Sequence, residues 1–254
     1  MAKCESNDEQ RILPLLFYHS RTIIIRNFPG RKEEKKKHDA LRNDRIGAII
    51  VKCCISAGEK RQKDLECNMK LVKTEKWAQW KKIYQLYQEA FPDYEKKPFW
   101  LIWMKNKQGR ADVWYIEDEG CFVGLGITMS APGRVLLDYF AIDSSKRGQG
   151  YGSKALKALQ EQYADRHFFL EIESVYDNCE NVAQRLRRKQ FYLRNGMTEM
   201  KMMVNLFGND MEVLGHGCKL DFDTYRAVYE HTYGKRVVQN VKEVPYPQDT
   251  EVNK

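Results

Sequence analysis

The residues best suited to chemistry crowd into one stretch. Arg147-Gly148-Gln149-Gly150-Tyr151-Gly152 follows an apolar run, LLDYFAI (136–142), and leads into SKALKAL (153–159). An apolar strand feeding a glycine loop that opens a helix makes an anion cradle. Glycine lets the backbone approach a ligand, and the first N–H groups of the helix point at one spot carrying the positive end of its dipole. Phosphate is the natural occupant. A Walker A loop requires Gly-x4-Gly-Lys-Ser/Thr, and here Ser153 separates Gly152 from Lys154 while position 147 is Arg. A dinucleotide fingerprint requires Gly-x-Gly-x-x-Gly, whereas this loop reads Gly-x-Gly-x-Gly, although an acid, Glu171, does follow Gly152 by 19 residues. A purely structural glycine turn is the remaining alternative.

Residues 147–152 also match Arg/Gln-x-x-Gly-x-Gly/Ala, and a second motif lies downstream in order. Phe168–Glu173 (FFLEIE) is a strand pattern, and Phe191-Tyr192-Leu193-Arg194-Asn195-Gly196-Met197 has the form Phe/Leu-Tyr-x-x-x-Gly-Phe with Met197 in the last place. On these residues the chain resembles the GNAT superfamily of acetyltransferases over roughly 70–206, most closely over 136–197. Phe91-Pro92-Asp93-Tyr94-Glu95 resembles the Pro-containing loop that a group of bacterial GNAT proteins carries before the sheet. The resemblance implies an α/β GNAT fold: a mixed central sheet flanked by helices, with two parallel strands splayed so that acetyl-CoA, the co-substrate, wedges between them. Backbone groups of Phe140, Ala141 and Ile142 would then pair with the pantetheine arm. The amides of Arg147, Gly148, Gln149, Gly150, Tyr151 and Gly152, with Ser153, would hold the pyrophosphate, and Asn181 stands where many members contact the cofactor. The Arg147 side chain either adds charge near a phosphate or faces solvent.

An amine with a pKa near 10.4 must lose a proton before attacking a thioester, and the departing thiolate must gain one. By resemblance Tyr192 is the general acid, with a core aromatic as the alternative. Leu136 stands where some members place a glutamate on the strand, so the base falls to Asp138, two residues on, or to Glu171 or Glu173, which share a face of the next strand. Each of these could equally be a surface or hydrogen-bonding carboxylate. The expected activity is N-acetyl transfer from acetyl-CoA to a primary amine of a small molecule or peptide by direct attack. A non-catalytic acyl-CoA-binding regulatory module, its basic N-terminal segment contacting nucleic acid, is the alternative.

These residues need elements to hold them. The sequence predicts a strand at Lys70–Lys73, and then a helix in which Trp77, Trp80, Ile83, Tyr84 and Tyr87 recur at spacings of three and four until Pro92. A Pro/Lys-rich loop (93–98) leads to a second helix at Phe99–Lys105. Strands follow at Asp112–Glu117, Cys121–Met129 and Val135–Ile142, a helix at Ser153–Ala164, a strand at Phe168–Ser174 and a helix within 181–195. Strands at Thr198–Phe207 and Met211–Gly215 precede a last helix near Thr224–Tyr233, capped by Asp223 and ended by Gly234. Arg185, Arg187, Arg188 and Lys189 make the helix in 181–195 densely basic. That density reads as a solvated face, or as a patch for an acidic partner or the 3′-phosphate of CoA.

The 254 residues carry 43 Lys+Arg against 35 Asp+Glu, a net +8, with 43% hydrophobic and 12% aromatic content, enough for a substantial core. Residues 1–68 hold 15 of these cations and 10 of the acids but only three aromatics, Phe17, Tyr18 and Phe28. They read as a basic, poorly patterned extension, and Met69 looks like a protein's beginning. Residues 69–234 form the expected acyltransferase domain and 235–254 a mobile polar tail. With the main domain nearly neutral, charge weighs against nucleic acid as a partner. No apolar run reaches the roughly 20 residues of a membrane span and no signal peptide is evident, so a cytoplasmic monomer or homodimer is expected. Seven cysteines without Cys-x-x-Cys and five histidines without ligand spacing imply no metal and no disulfide framework.

Overall fold

The computed structural model describes residues 69–176 and 181–247, all within one structural unit. The N-terminal extension, residues 1–68, lies outside the described residues, as do 177–180 and 248–254. A single eight-stranded sheet organises the rest: β1 (Met69–Lys73), β2 (Ala111–Asp118), β3 (Cys121–Ala131), β4 (Arg134–Ile142), β5 (His167–Glu173), β6 (Thr198–Leu206), β7 (Asn209–His216) and β8 (Val241–Val244). The spatial order is β1-β2-β3-β4-β5-β7-β6-β8. Every neighbouring pair is antiparallel except β4 and β5. That parallel pair spans only Arg134↔His167 to Leu137↔Leu170. Beyond it the β5-facing edge of β4, residues 138–142, has no strand partner among the described residues.

Helices α1 (Trp77–Ala90) and α2 (Phe99–Lys107) connect β1 to β2, α3 (Tyr151–Gln162) connects β4 to β5, and α4 (Val182–Arg194) connects β5 to β6. Then α5 (Phe222–Tyr233) and the short α6 (Lys235–Val238) follow β7. The helical period predicted for α1 holds, but its buried stripe is Trp80, Ile83, Leu86, Tyr87 and Ala90, while Trp77 is 82% exposed. Of the tail expected to be mobile from Lys235 to Lys254, residues 235–238 form α6 and 241–244 form β8, paired with β6 from Met203↔Val244 to Leu206↔Val241, while 248–254 lie outside the described residues. Asp221, not Asp223, caps α5, its carboxylate accepting the Thr224 N–H at 2.7 Å. No helix among the described residues is long and apolar enough to cross a membrane.

Apolar side chains divide by face. Leu156 and Leu159 of α3 and Phe191 and Tyr192 of α4 pack with Leu137, Phe140, Leu170 and Ile172. On the other face α1 packs with Leu125, Ile127, Tyr139 and Ala141, whereas α5 packs with Met129, Leu136, Phe169 and Val213. Two apolar clusters thus meet on that second face. Their seam falls where β4 and β5 part.

Candidate active site

The register shift between Ile127 and Thr128 sets Ile127 opposite Tyr139 but Thr128 opposite Leu137, which makes Asp138 the extra residue of a β-bulge. The last β4–β5 pair is Leu137↔Leu170, so Asp138 and Glu171 are the first residues past the fork, one on each strand. Both are buried. They are held differently. Asp138 accepts two bonds from the Lys97 ammonium, at 2.9 and 2.7 Å, an ion pair reaching across from the α1–α2 loop. That loop is pinned by buried phenols: the Lys97 N–H donates to Tyr139 Oη (3.1 Å), Tyr139 donates to Glu95 O (2.9 Å), and Tyr87 donates to Lys97 O (3.1 Å). Burial works to lower the Lys97 pKa, but Asp138 and Tyr233 outweigh it and hold the ammonium above its ordinary value. Burial raises Asp138, against the pull of Lys97.

Glu171 is 1% exposed and, among the described residues, makes no ion pair. Its partners are phenols on α5: Tyr225 donates to Oε1 at 2.6 Å, and Tyr229 donates to Oε1 and Oε2 at 2.7 and 2.9 Å. Tyr225 and Tyr229 lie one helical turn apart, so α5 presents both hydroxyls to one carboxyl. Burial pushes Glu171 up to about 7, with the tyrosine hydrogen bonds opposing it and Asp138 adding to it. A carboxyl poised near neutrality can take up and release protons in that range.

Glu173 shares the strand but not the setting. Arg185 and Arg188 of α4 pair with it at 3.0 and 2.8 Å, and Lys189 next to them pairs with Glu212 and Glu199, both at 2.6 Å. The basic run is therefore no solvated face. Arg188 and Lys189 are buried and directed at carboxylates of β5, β6 and β7, which leaves Arg187 exposed. Glu173, one of the three candidate bases, is committed to two guanidinium groups.

The glycine loop forms a helix entry at Tyr151, two residues earlier than the expected start at Ser153. Gly150 is the N-cap of α3 in the left-handed region (φ 82°), where a side chain would be strained. Gly152 lies in the first turn, and a Cβ there would come 3.4 Å from the Phe191 ring. Lys154 is the first to donate back into the helix, to Gly150 O at 3.2 Å, so the N–H groups of Tyr151, Gly152 and Ser153 have no intrahelical acceptor. Arg147 turns its Nε to Ile142 O (3.0 Å) and Gln149 its amide to Ser145 O (3.0 Å), both bracing the loop. Phe140, Ala141 and Ile142 pair with β3 on one side, and their β5-facing edge has no strand partner among the described residues. Tyr192 is fully buried in the cluster that includes Phe140 and Ile142, and its hydroxyl has no hydrogen-bond partner. An orphaned phenol at a fork of two strands, below a helix N-terminus, fits a ligand with a polar atom in the cleft and an anionic group at the loop. Asn181, the N-cap of α4, is exposed and makes no side-chain cap bond. No metal-type grouping of His, Cys, Asp and Glu occurs among the described residues.

Lys97, Tyr225 and Tyr229 have no sequence signal of their own: Lys97 stands 41 residues from Asp138, and the two tyrosines 54 and 58 from Glu171. Residues 80–192 match the family model described as acetyltransferase (GNAT) family. Among solved structures, a protein described as a GNAT-family acetyltransferase from Bacteroides thetaiotaomicron is similar at 21% identity, over 66% of this chain and 98% of that one, with a TM-score of 0.53. The ribosomal-protein-S18-alanine N-acetyltransferase of Escherichia coli follows at 16% identity, 60% and 96% coverage and a TM-score of 0.43. A GNAT acetyltransferase from Elizabethkingia anophelis with acetyl-CoA bound stands at 11%, 59% and 99%, and 0.39. No curated protein matches the sequence.

Proposed function

We propose, from the premise that the chain carries an acetyltransferase domain of the GNAT family over residues 80–192, that it is an N-acetyltransferase acting on a primary amine. The carrying observation is the fork past Leu137↔Leu170, with the Glu171 carboxyl on the face covered by α5 and the partnerless Tyr192 hydroxyl on the other face, in the cluster of Leu137, Phe140, Leu170 and Ile172. Acetyl-CoA would supply an activated acetyl thioester. The open edge of Phe140, Ala141 and Ile142 offers backbone groups to an extended arm as a neighbouring strand would. The N–H groups at the start of α3, with Ser153, receive a pyrophosphate, and the Arg147 guanidinium adds positive charge at the same loop.

Two proton movements complete the reaction. Glu171, oriented by Tyr225 and Tyr229, takes the proton that the acceptor ammonium loses. Its pKa of about 7 makes turnover rise with pH through neutrality. Tyr192 donates to the departing thiolate, burial keeping the phenol protonated far above neutral pH. Asp138, tied to Lys97, is not the base in this reading, and Glu173 is held by α4. The charge of the fork favours a cationic amine acceptor, small or at a peptide terminus or side chain.

Thiol release from acetyl-CoA against a panel of amines tests the activity. Tyr192→Phe should lower kcat by about 10²-fold with little change in KM for acetyl-CoA. Equal turnover by this variant would remove Tyr192 from the reaction. Thermal stabilisation by acetyl-CoA without thiol release on any amine would support the non-catalytic binding module instead.

A further inference from the structure

The α1–α2 loop carries a buried ammonium to the fork, and the reaction as proposed does not use it. Lys97 Nζ contacts both oxygens of Asp138 and lies 5.6 and 5.3 Å from the ring centroids of Tyr139 and Tyr233. Its backbone is fixed on both sides by Tyr139 and Tyr87. A buried pair of this kind is a weak source of stability, since desolvating two charges cancels most of their attraction. Its position says more. Asp138 occupies the bulge directly after the last β4–β5 pair, and Glu171 is its counterpart across the gap. The groups facing Glu171 are the hydroxyls of Tyr225 and Tyr229 from α5, with the Tyr233 phenol one turn further along that helix, the Asp138 carboxylate from β4, and the Lys97 ammonium from the loop. Its register partner on β7 is Val213, which carries no charge.

We propose that the Lys97–Asp138 ion pair is a positioning device that sets the charge state of Glu171 across the fork. The pair transfers no proton itself. Asp138 supplies negative charge that keeps a proton on Glu171, and Lys97, delivered by the α1–α2 loop, limits that effect and prevents Asp138 from taking the proton instead. Of the two opposed influences on Glu171, Asp138 is the stronger. The inference rests on Glu171 being the base only where activity is the readout.

The test uses the full chain, with two readouts on three variants. Carbon-13-labelled glutamate reports the Glu171 carboxyl titration by NMR, assigned by its loss in Glu171→Gln, and the pH profile of kcat reports the working base. Asp138→Asn removes the negative charge and keeps the shape, so the Glu171 titration should move to lower pH by about one unit. The double variant Lys97→Met with Asp138→Asn removes the opposing ammonium as well and should move it less, which a structural role for the pair would not produce. An unmoved carboxyl titration in both folded variants overturns the proposal. A titration that moves while the kcat profile stays in place upholds the pair's action on Glu171 and overturns Glu171 as the base.

Discussion

Two carboxylates two residues apart on β5 are both buried, yet their surroundings differ in kind. Glu173 faces two guanidinium groups of α4 at 3.0 and 2.8 Å, whereas Glu171 faces two phenols of α5 and no cation in contact. Guanidinium groups in contact match a carboxylate's charge and hold it in one geometry. Phenolic hydrogen bonds satisfy the carboxyl without matching its charge, and burial then leaves the proton exchangeable near pH 7. Burial alone therefore does not mark a functional acid; the nature of the partner does. The α4 side is built to hold, and the α5 side to exchange.

Breaking each side should give opposite results. Glu171→Gln keeps the shape and removes the exchangeable proton, so turnover should fall by about 10²- to 10⁴-fold while the fold is retained; steady-state kinetics on the best amine found checks this. Arg188→Met leaves Glu173 with Arg185 as its remaining guanidinium partner and should cost about 2 kcal/mol in urea-unfolding stability. A loss of activity with unchanged stability would instead put Arg188 in the reaction.

The folded Glu171 has a pKa raised to about 7 from 4.5, so the folded state binds the proton more tightly than the unfolded one. Its contribution to stability is complete below the unfolded value and is lost as pH rises through about 7. Glu171→Gln has no such loss, so its stability relative to the parent should improve by about 3 kcal/mol between about pH 5 and pH 8. Paired thermal or urea melts across that range read it, and a pH-independent difference would remove the raised pKa. Arg187→Ala, on the exposed side of α4, should change stability by no more than about 0.5 kcal/mol.

How legible these features are in the sequence follows the same division. The glycine loop, the strand order through β7 and the place of Tyr192 rest on local patterns or ordered motifs, and chain order preserves both. The run at 185–189 gave density but not direction: a helical repeat shows which residues share a face, while Glu173 and Glu212 on distant strands decide that this face turns inward. Asp138, Glu171 and Glu173 were equivalent candidates by spacing alone. What separates them is Lys97, Tyr225, Tyr229, Arg185 and Arg188, contributed by segments whose meeting no local period records. The cap of α5 moved from Asp223 to Asp221 for a smaller reason: either acid suits a helix start, and backbone geometry chooses between them.

The short strand at the far end of the sheet has a bearing on handling the protein. A margin left bare would present β6, with Met203, Val204 and Leu206, as a template for another chain's backbone. Val241–Val244 covers that margin and brings Lys242 and Glu243, both exposed, to the new edge. A chain cut before Val241 should keep its fork and glycine loop but lose solubility on concentration, so expression trimmed at Gly234 would trade a shorter protein for a stickier one.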